Sequence, residues 1–200
     1  MAAPPAKPGP EKPSAAKSLR ADAQRNRAAI LSAARALFAE EGIFAPIDRI
    51  AVTAGVGNAT LYRNFPTRDD LLAAVMADSV RAILSESDEL ERSLPPADAL
   101  REWMHRLTWQ LRVWHDLPSC LADAIGDDAS PVQDVCAPLI TRTGELLQRA
   151  ADAGTASGGV GAEELFELLT AVSWGIDRFG DDAERARQRV KLATAGVFAG

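Results

Sequence analysis

The chain is poor in the residues that most reactions and most covalent staples need. Of 200 residues, two are cysteine, two are histidine and one is tyrosine. Cys120 and Cys136 make no disulfide framework and no zinc spacing. They read as two reduced thiols, or as a redox pair only if the segments that carry them touch. His105 and His115 lie about three turns apart on one helical stretch, too far for one metal ion. Glu102 with His105 makes half a site and lacks a third ligand. Asp127-Asp128 and Asp181-Asp182 read as helix starts or solvated turns rather than metal pairs. No metal and no cofactor is therefore expected. The nucleophile elbow, the P-loop and the dinucleotide fingerprint are all missing, which argues against an enzyme. No apolar run approaches the roughly eighteen residues of a membrane span. The opening stretch "MAAPPAKPGPEKPSAAKSLR" lacks the continuous apolar core of a signal peptide. It reads as a disordered tail, residues 1–23, on a cytoplasmic protein. Little alternates with period two and β-branched residues are sparse, so sheet is excluded as the main architecture.

Helical spacing is present along the rest of the chain. Ile30, Ala33, Ala34, Leu37 and Phe38 recur at i, i+3, i+4, i+7 and i+8. Gly42 is a natural stop for that helix, and Pro46 suits the start of the next. Gly55 breaks the second helix, and Phe65-Pro66 closes a third. Thr67 can cap a fourth, with Asp70 completing a weaker form of the capping box. The later apolar stripes predict an all-α fold of about nine helices. A helix-turn-helix domain spans residues 24–70 and a helical body spans 71–200. The charge follows the same division. The net charge is −6, yet residues 1–68 carry ten Lys and Arg against five Asp and Glu, and the rest carry 12 against 23. A basic head suits a polyanion, and an acidic body should point away from it.

The stretch "GVGNATLYRNFP", residues 55–66, holds the single tyrosine. Ala51, Gly55 and Leu61 supply the small residue, the hinge and the anchor that a helix-turn-helix needs. Ile50, Val56, Leu61 and Phe65 can bury against Leu37 and Phe38. Asn58, Ala59, Thr60, Tyr62, Arg63 and Asn64 then face outward. Amides, hydroxyls and a cation on a short outward helix suit the major groove of DNA. The bland alternative is an ordinary helix hairpin inside a small-molecule binding or carrier protein.

Residues 24–72, and "AGVGNATLYRNFPTRDDL" in particular, resemble the DNA-binding domain of TetR-family transcriptional regulators. The helix that runs into "RVWHDLPSCLADAIGD" resembles the C-terminal domain of the SbtR-like subgroup. The resemblance implies that Gly57, Asn58, Ala59, Thr60 and Tyr62 face double-stranded operator DNA. It implies that Tyr62 touches a phosphate or a thymine methyl, that Asn64 replaces a phosphate-binding histidine, and that Arg68 is a phosphate contact. The chain departs from the family at Pro46 and Ile47, which occupy the place of a capping threonine, and at Asp48, where some relatives carry a base. Asn58 stands where Lys or Arg is common. The tail cations Arg20, Arg25 and Arg27 could compensate through the DNA backbone or minor groove. The resemblance further implies a ligand-responsive repressor that dimerises through about residues 162–198. Candidate linings for an apolar or aromatic effector are Trp103, Met104, Leu107, Trp114, Cys120, Phe166 and Trp174, against the plainer reading of the same side chains as core.

Overall fold

The computed structural model describes residues 15–112, 116–124 and 129–198, and these are helical almost throughout. Within the described residues nine α-helices run in order: α1 Ala15–Glu41, α2 Ile47–Thr53, α3 Asn58–Asn64, α4 Arg68–Ser93, α5 Pro96–Leu111, α6 Leu117–Ala124, α7 Pro131–Asp152, α8 Ala162–Phe179 and α9 Ala183–Ala193. Among the described residues no strand forms. The first helix begins at Ala15, inside the stretch expected as a tail, whose residues 1–14 lie outside the described residues.

The local signals act as their chemistry dictates. Gly42 takes φ 84° and ends α1, a conformation that side chains with a Cβ resist. Thr67 accepts from the Asp70 backbone N–H at 3.0 Å, and the Asp70 carboxylate accepts from the Thr67 N–H at 2.9 Å. That reciprocal cap starts α4, a 26-residue helix that leaves the head and enters the body. α9 ends at Ala193, before the apolar spacing of Ala186, Val190, Ala193 and Val197 runs out. Thr194 turns its hydroxyl back to the Val190 carbonyl at 2.7 Å, and a 3₁₀ turn follows over Ala195–Val197. The Ser157 N–H then donates to the Val197 carbonyl at 2.8 Å, tying the connection between α7 and α8 to the turn after α9.

The body is built on α7, which packs against α4, α5 and α8. Trp103 of α5 is fully buried and donates its indole N–H to Thr143 Oγ1 of α7 at 2.9 Å. Leu107, Leu139, Leu146, Phe166 and Leu169 close the same interior. Arg142 of α7 is 11% exposed and joins Ser87 at 2.8 Å, Asp88 at 3.3 Å and Glu91 at 2.5 Å on α4. The hydrogen bond from Arg142, helped by the charges of Arg142 and Arg149, holds the Glu91 carboxyl below its ordinary value.

Candidate nucleic-acid interface

The helix-turn-helix is assembled from the inside out. Ile50, Ala51, Leu61 and Phe65 are buried with Leu37 and Phe38 of α1, and Val56 packs partly against them. Gly55 makes the turn at φ 68°. Its N–H donates to the Val52 carbonyl at 3.0 Å, and the Val56 N–H donates to Ala51 at 3.0 Å. This sets α3 across α2 with Leu61 as the inward anchor, so the residues between the anchors must turn out. Asn58, Ala59, Tyr62 and Arg63 are exposed, Tyr62 at 48%; Thr60 and Asn64 are half-buried. Gly57 caps the start of α3 with no side-chain bond, and a Cβ placed on it would meet nothing within 4 Å.

The polar groups of this face are already oriented. Asn58 Nδ2 donates to Asp48 Oδ1 of α2 at 2.8 Å, leaving its second N–H and its carbonyl oxygen outward. Arg63 donates to Thr60 Oγ1 at 2.9 Å. Asn64 Nδ2 returns to the Thr60 carbonyl at 2.8 Å, so this amide is engaged within its own helix. Arg68 donates to the Ile43 and Ala45 carbonyls at 2.8 and 2.9 Å. Its guanidinium therefore ties the α1–α2 turn to α4, a structural task beside any phosphate contact.

Two features escape a reading of spacing. Arg27 of α1 lies over the Phe65 ring at 4.3 Å and donates to the Asn64 carbonyl at 3.3 Å. It supplies a cation at the C-terminal end of α3, where the helix dipole favours one. The sequence names Arg27 as a cation available to DNA, but its 37-residue separation from Asn64 explains why periodicity could not find its seat beside α3. The other feature is the Asp48 carboxylate, whose link to Asn58 needs the angle at which α2 meets α3. Arg27, Arg63 and Arg68 all bond to neutral oxygens. Their positive charge is held in place without being cancelled, the condition under which it can attract phosphate.

A family model for bacterial regulatory proteins of the tetR family matches residues 30–75, and one for the C-terminal domain of SbtR-like transcriptional regulators matches residues 95–199. The chain belongs to the TetR family of transcriptional regulators. A TetR transcriptional regulator from Streptomyces coelicolor is 31% identical, covering 86% of this chain and 98% of its own, with a TM-score of 0.57. A TetR transcription regulatory protein from Mycobacterium vanbaalenii is 32% identical, covering 90% and 99%, with a TM-score of 0.50. FadR from Bacillus subtilis, solved in complex with stearoyl-CoA, shares the fold at 15% identity, covering 85% and 98% with a TM-score of 0.63. No curated protein matches the chain. The all-α fold, the helix-turn-helix and DNA-binding transcription regulation expected from the sequence follow from this membership.

The residues considered for an effector pocket fall in different places. Trp103, Leu107 and Phe166 are packed in the interior with at most 1% exposure. The cavity beside Leu107, between α4, α5 and α7, measures only about 20 Å³. Trp174 is 48% exposed and lines a groove between α6 and α8, and Cys120 is half-buried on α6. Met104 is buried but borders a wider groove between α5 and α9. Trp114 lies outside the described residues. Cys136 is buried, and burial first, then the neighbouring Cys120, pushes its thiol up to about 12. Among the described residues no group of three His, Cys, Asp or Glu gathers, and no helix is long and apolar enough to cross a membrane.

Proposed function

We propose that this TetR-family member is a ligand-responsive repressor that binds a near-palindromic operator as a homodimer. The observation that carries the proposal is the outward face of α3. Asn58, Tyr62 and Arg63 are exposed on a helix whose other side is anchored by Leu61 and Phe65. Asn58 and Thr60 would read base edges, with Ala59 in apolar contact. The Tyr62 hydroxyl, Arg63 and the open backbone at Gly57 would lie along phosphates. Arg68 and Asn64 would act mainly by holding this face in position, since their own bonds turn inward.

Dimerisation is supported by the outer surface of the last two helices. Leu168, Trp174 and Phe179 of α8 and Leu192 of α9 are 37%, 48%, 66% and 80% exposed. Gly175 of α8 offers space there, since a Cβ on it would meet nothing within 4 Å. Large apolar side chains gathered with a small residue fit a helical interface between two copies. An effector would act by favouring one separation of the two heads over another, through α4, which belongs to both parts.

Selection of bound sequences from a random DNA pool by the purified full chain tests the reading. Inverted half-sites about one helical turn apart are expected. With three or four neutralised phosphates per subunit, log K against log[salt] should fall with a slope of about −5 to −7. No enrichment, or a single unsymmetrical site with a much shallower slope, would defeat it. A carrier protein with a merely structural hairpin would give no salt-dependent retention on DNA and no response to Tyr62→Ala.

A further inference from the structure

The room in the body does not lie in its interior. The groove between α5 and α9 measures about 770 Å³ and is open along one side. That volume falls within the usual range of small-molecule sites, about 300–1,000 Å³. Its floor is apolar, made by Met104, Val190 and Phe198, with Met104 and Val190 nearly inaccessible to solvent. Its rim carries Arg101, Arg187 and Lys191, and among the described residues no Asp or Glu lines it. This is unexpected where, over residues 69–200, acids outnumber bases by 23 to 12. The nearby carboxylates bond sideways to the rim: Asp98 to Arg101 at 3.1 Å, Glu102 to Arg187 at 2.8 Å, and Glu184 to Gln188 at 3.2 Å. Lys191 has no ion-pair partner among the described residues. His105 also borders the groove, and its Nδ1 is buried without a hydrogen-bond partner. Arg101 Cζ lies over the Phe198 ring at 4.0 Å from its centroid, which extends the floor with a cationic edge.

A surface with an apolar floor and a cationic rim, on which Arg101 and Arg187 are paired with carboxylates outside the groove and Lys191 has no ion-pair partner among the described residues, is complementary to one ligand class. We propose that the α5–α9 groove binds a small organic anion with an apolar body, its charged group against Lys191 and Arg187 and its body on Met104, Val190 and Phe198. Binding there does not require the repressor reading. Its consequence for DNA does: a molecule wedged between α5 and α9 would press on α9, part of the proposed dimer surface.

The pair of probes that tests this is 8-anilinonaphthalene-1-sulfonate and N-phenyl-1-naphthylamine, which share an apolar body and differ by the sulfonate. The full chain should bind the sulfonate saturably, and Lys191→Glu should weaken it about tenfold, as removal of a charge-assisted hydrogen bond implies. The neutral probe should change by less than about twofold on the same scale. Ala195→Trp, which fills the groove from its lip, should abolish binding of both. Circular dichroism confirms that each variant is folded, and Lys191→Gln replaces the glutamate variant if that one is not. The proposal is overturned if the sulfonate does not bind, if Lys191→Glu affects both probes equally or neither, or if Ala195→Trp leaves the sulfonate bound. Retention on DNA is measured on the same samples. Loss of the probe pattern with DNA retention intact counts against the groove alone, and the reverse counts against the repressor reading alone.

Discussion

The head and the body use their arginines in opposite ways. Around α3, Arg27, Arg63 and Arg68 donate to carbonyl and hydroxyl oxygens, so each is positioned while its charge persists. In the body, Arg106, Arg142, Arg149 and Arg187 meet carboxylates on neighbouring helices or turns of helix. The body's pairs use charge to join helices. The head keeps its charge for something outside the chain. The division is not absolute, since Arg35 pairs with Asp78 and Arg49 with Glu41. Both of those pairs lie away from the outward face of α3, at the junctions of α1 with α4 and α2.

The contrast can be broken most severely from the body's side. Trp103→Ala removes a fully buried ring and its bond to Thr143, and should cost about 4 kcal/mol in urea unfolding. If the two parts are as separate as their chemistry, the head's near-ultraviolet signal should persist beyond the urea concentration at which the body melts. Arg142→Ala should cost about 2 kcal/mol, because Glu91 and Ser87 lose a shared, largely buried partner. The same variant changes the response to acid. Glu91 has a depressed value in the folded chain, so its contribution is complete above the ordinary glutamate value, about 4.3, and is lost as pH falls through the lower folded value. Unfolding midpoints measured between neutral pH and pH 3 should therefore fall less steeply in Arg142→Ala than in the parent chain. The smallest expected effect on stability, and the one that sharpens the comparison, is Arg63→Gln. It should leave stability within about 0.5 kcal/mol, since the side chain is exposed and, among the described residues, pairs with no carboxylate. It should still reduce the salt slope of DNA binding by about one, the share of a single neutralised phosphate. An unchanged slope would mean that the head's retained charge has no polyanion to meet.

Much of this was legible because it is local. The caps at Thr67 and Gly42, the hinge at Gly55 and the spacing that separates Leu61 and Phe65 from the outward set around Tyr62 each depend on residues within a turn or two of one another. Periodicity and turn chemistry report on that range, and the family resemblance draws on the same short stretch. Legibility fails where partners are far apart in the chain. The resemblance makes Arg68 a phosphate contact, but the Ile43 and Ala45 carbonyls that hold it lie more than twenty residues earlier. Trp103, Leu107 and Phe166 have the composition of a pocket wall, and a stripe cannot say whether its neighbours leave a space.

By itself, then, the order of residues determined the helices, most of their ends though not the start of α1 or the end of α9, the side of α3 that stays outside and the charge division between head and body. These follow from backbone preferences and from the cost of burying polar groups, both of which act within a few residues. Only the packing decided where empty volume remains and which cations stay unpaired. α7 fills the interior between α4, α5 and α8, while α9 meets α5 with a gap on whose rim Lys191 has no ion-pair partner among the described residues. Crossing angles and the meeting of distant side chains arise from three-dimensional contact, and no window of sequence contains them.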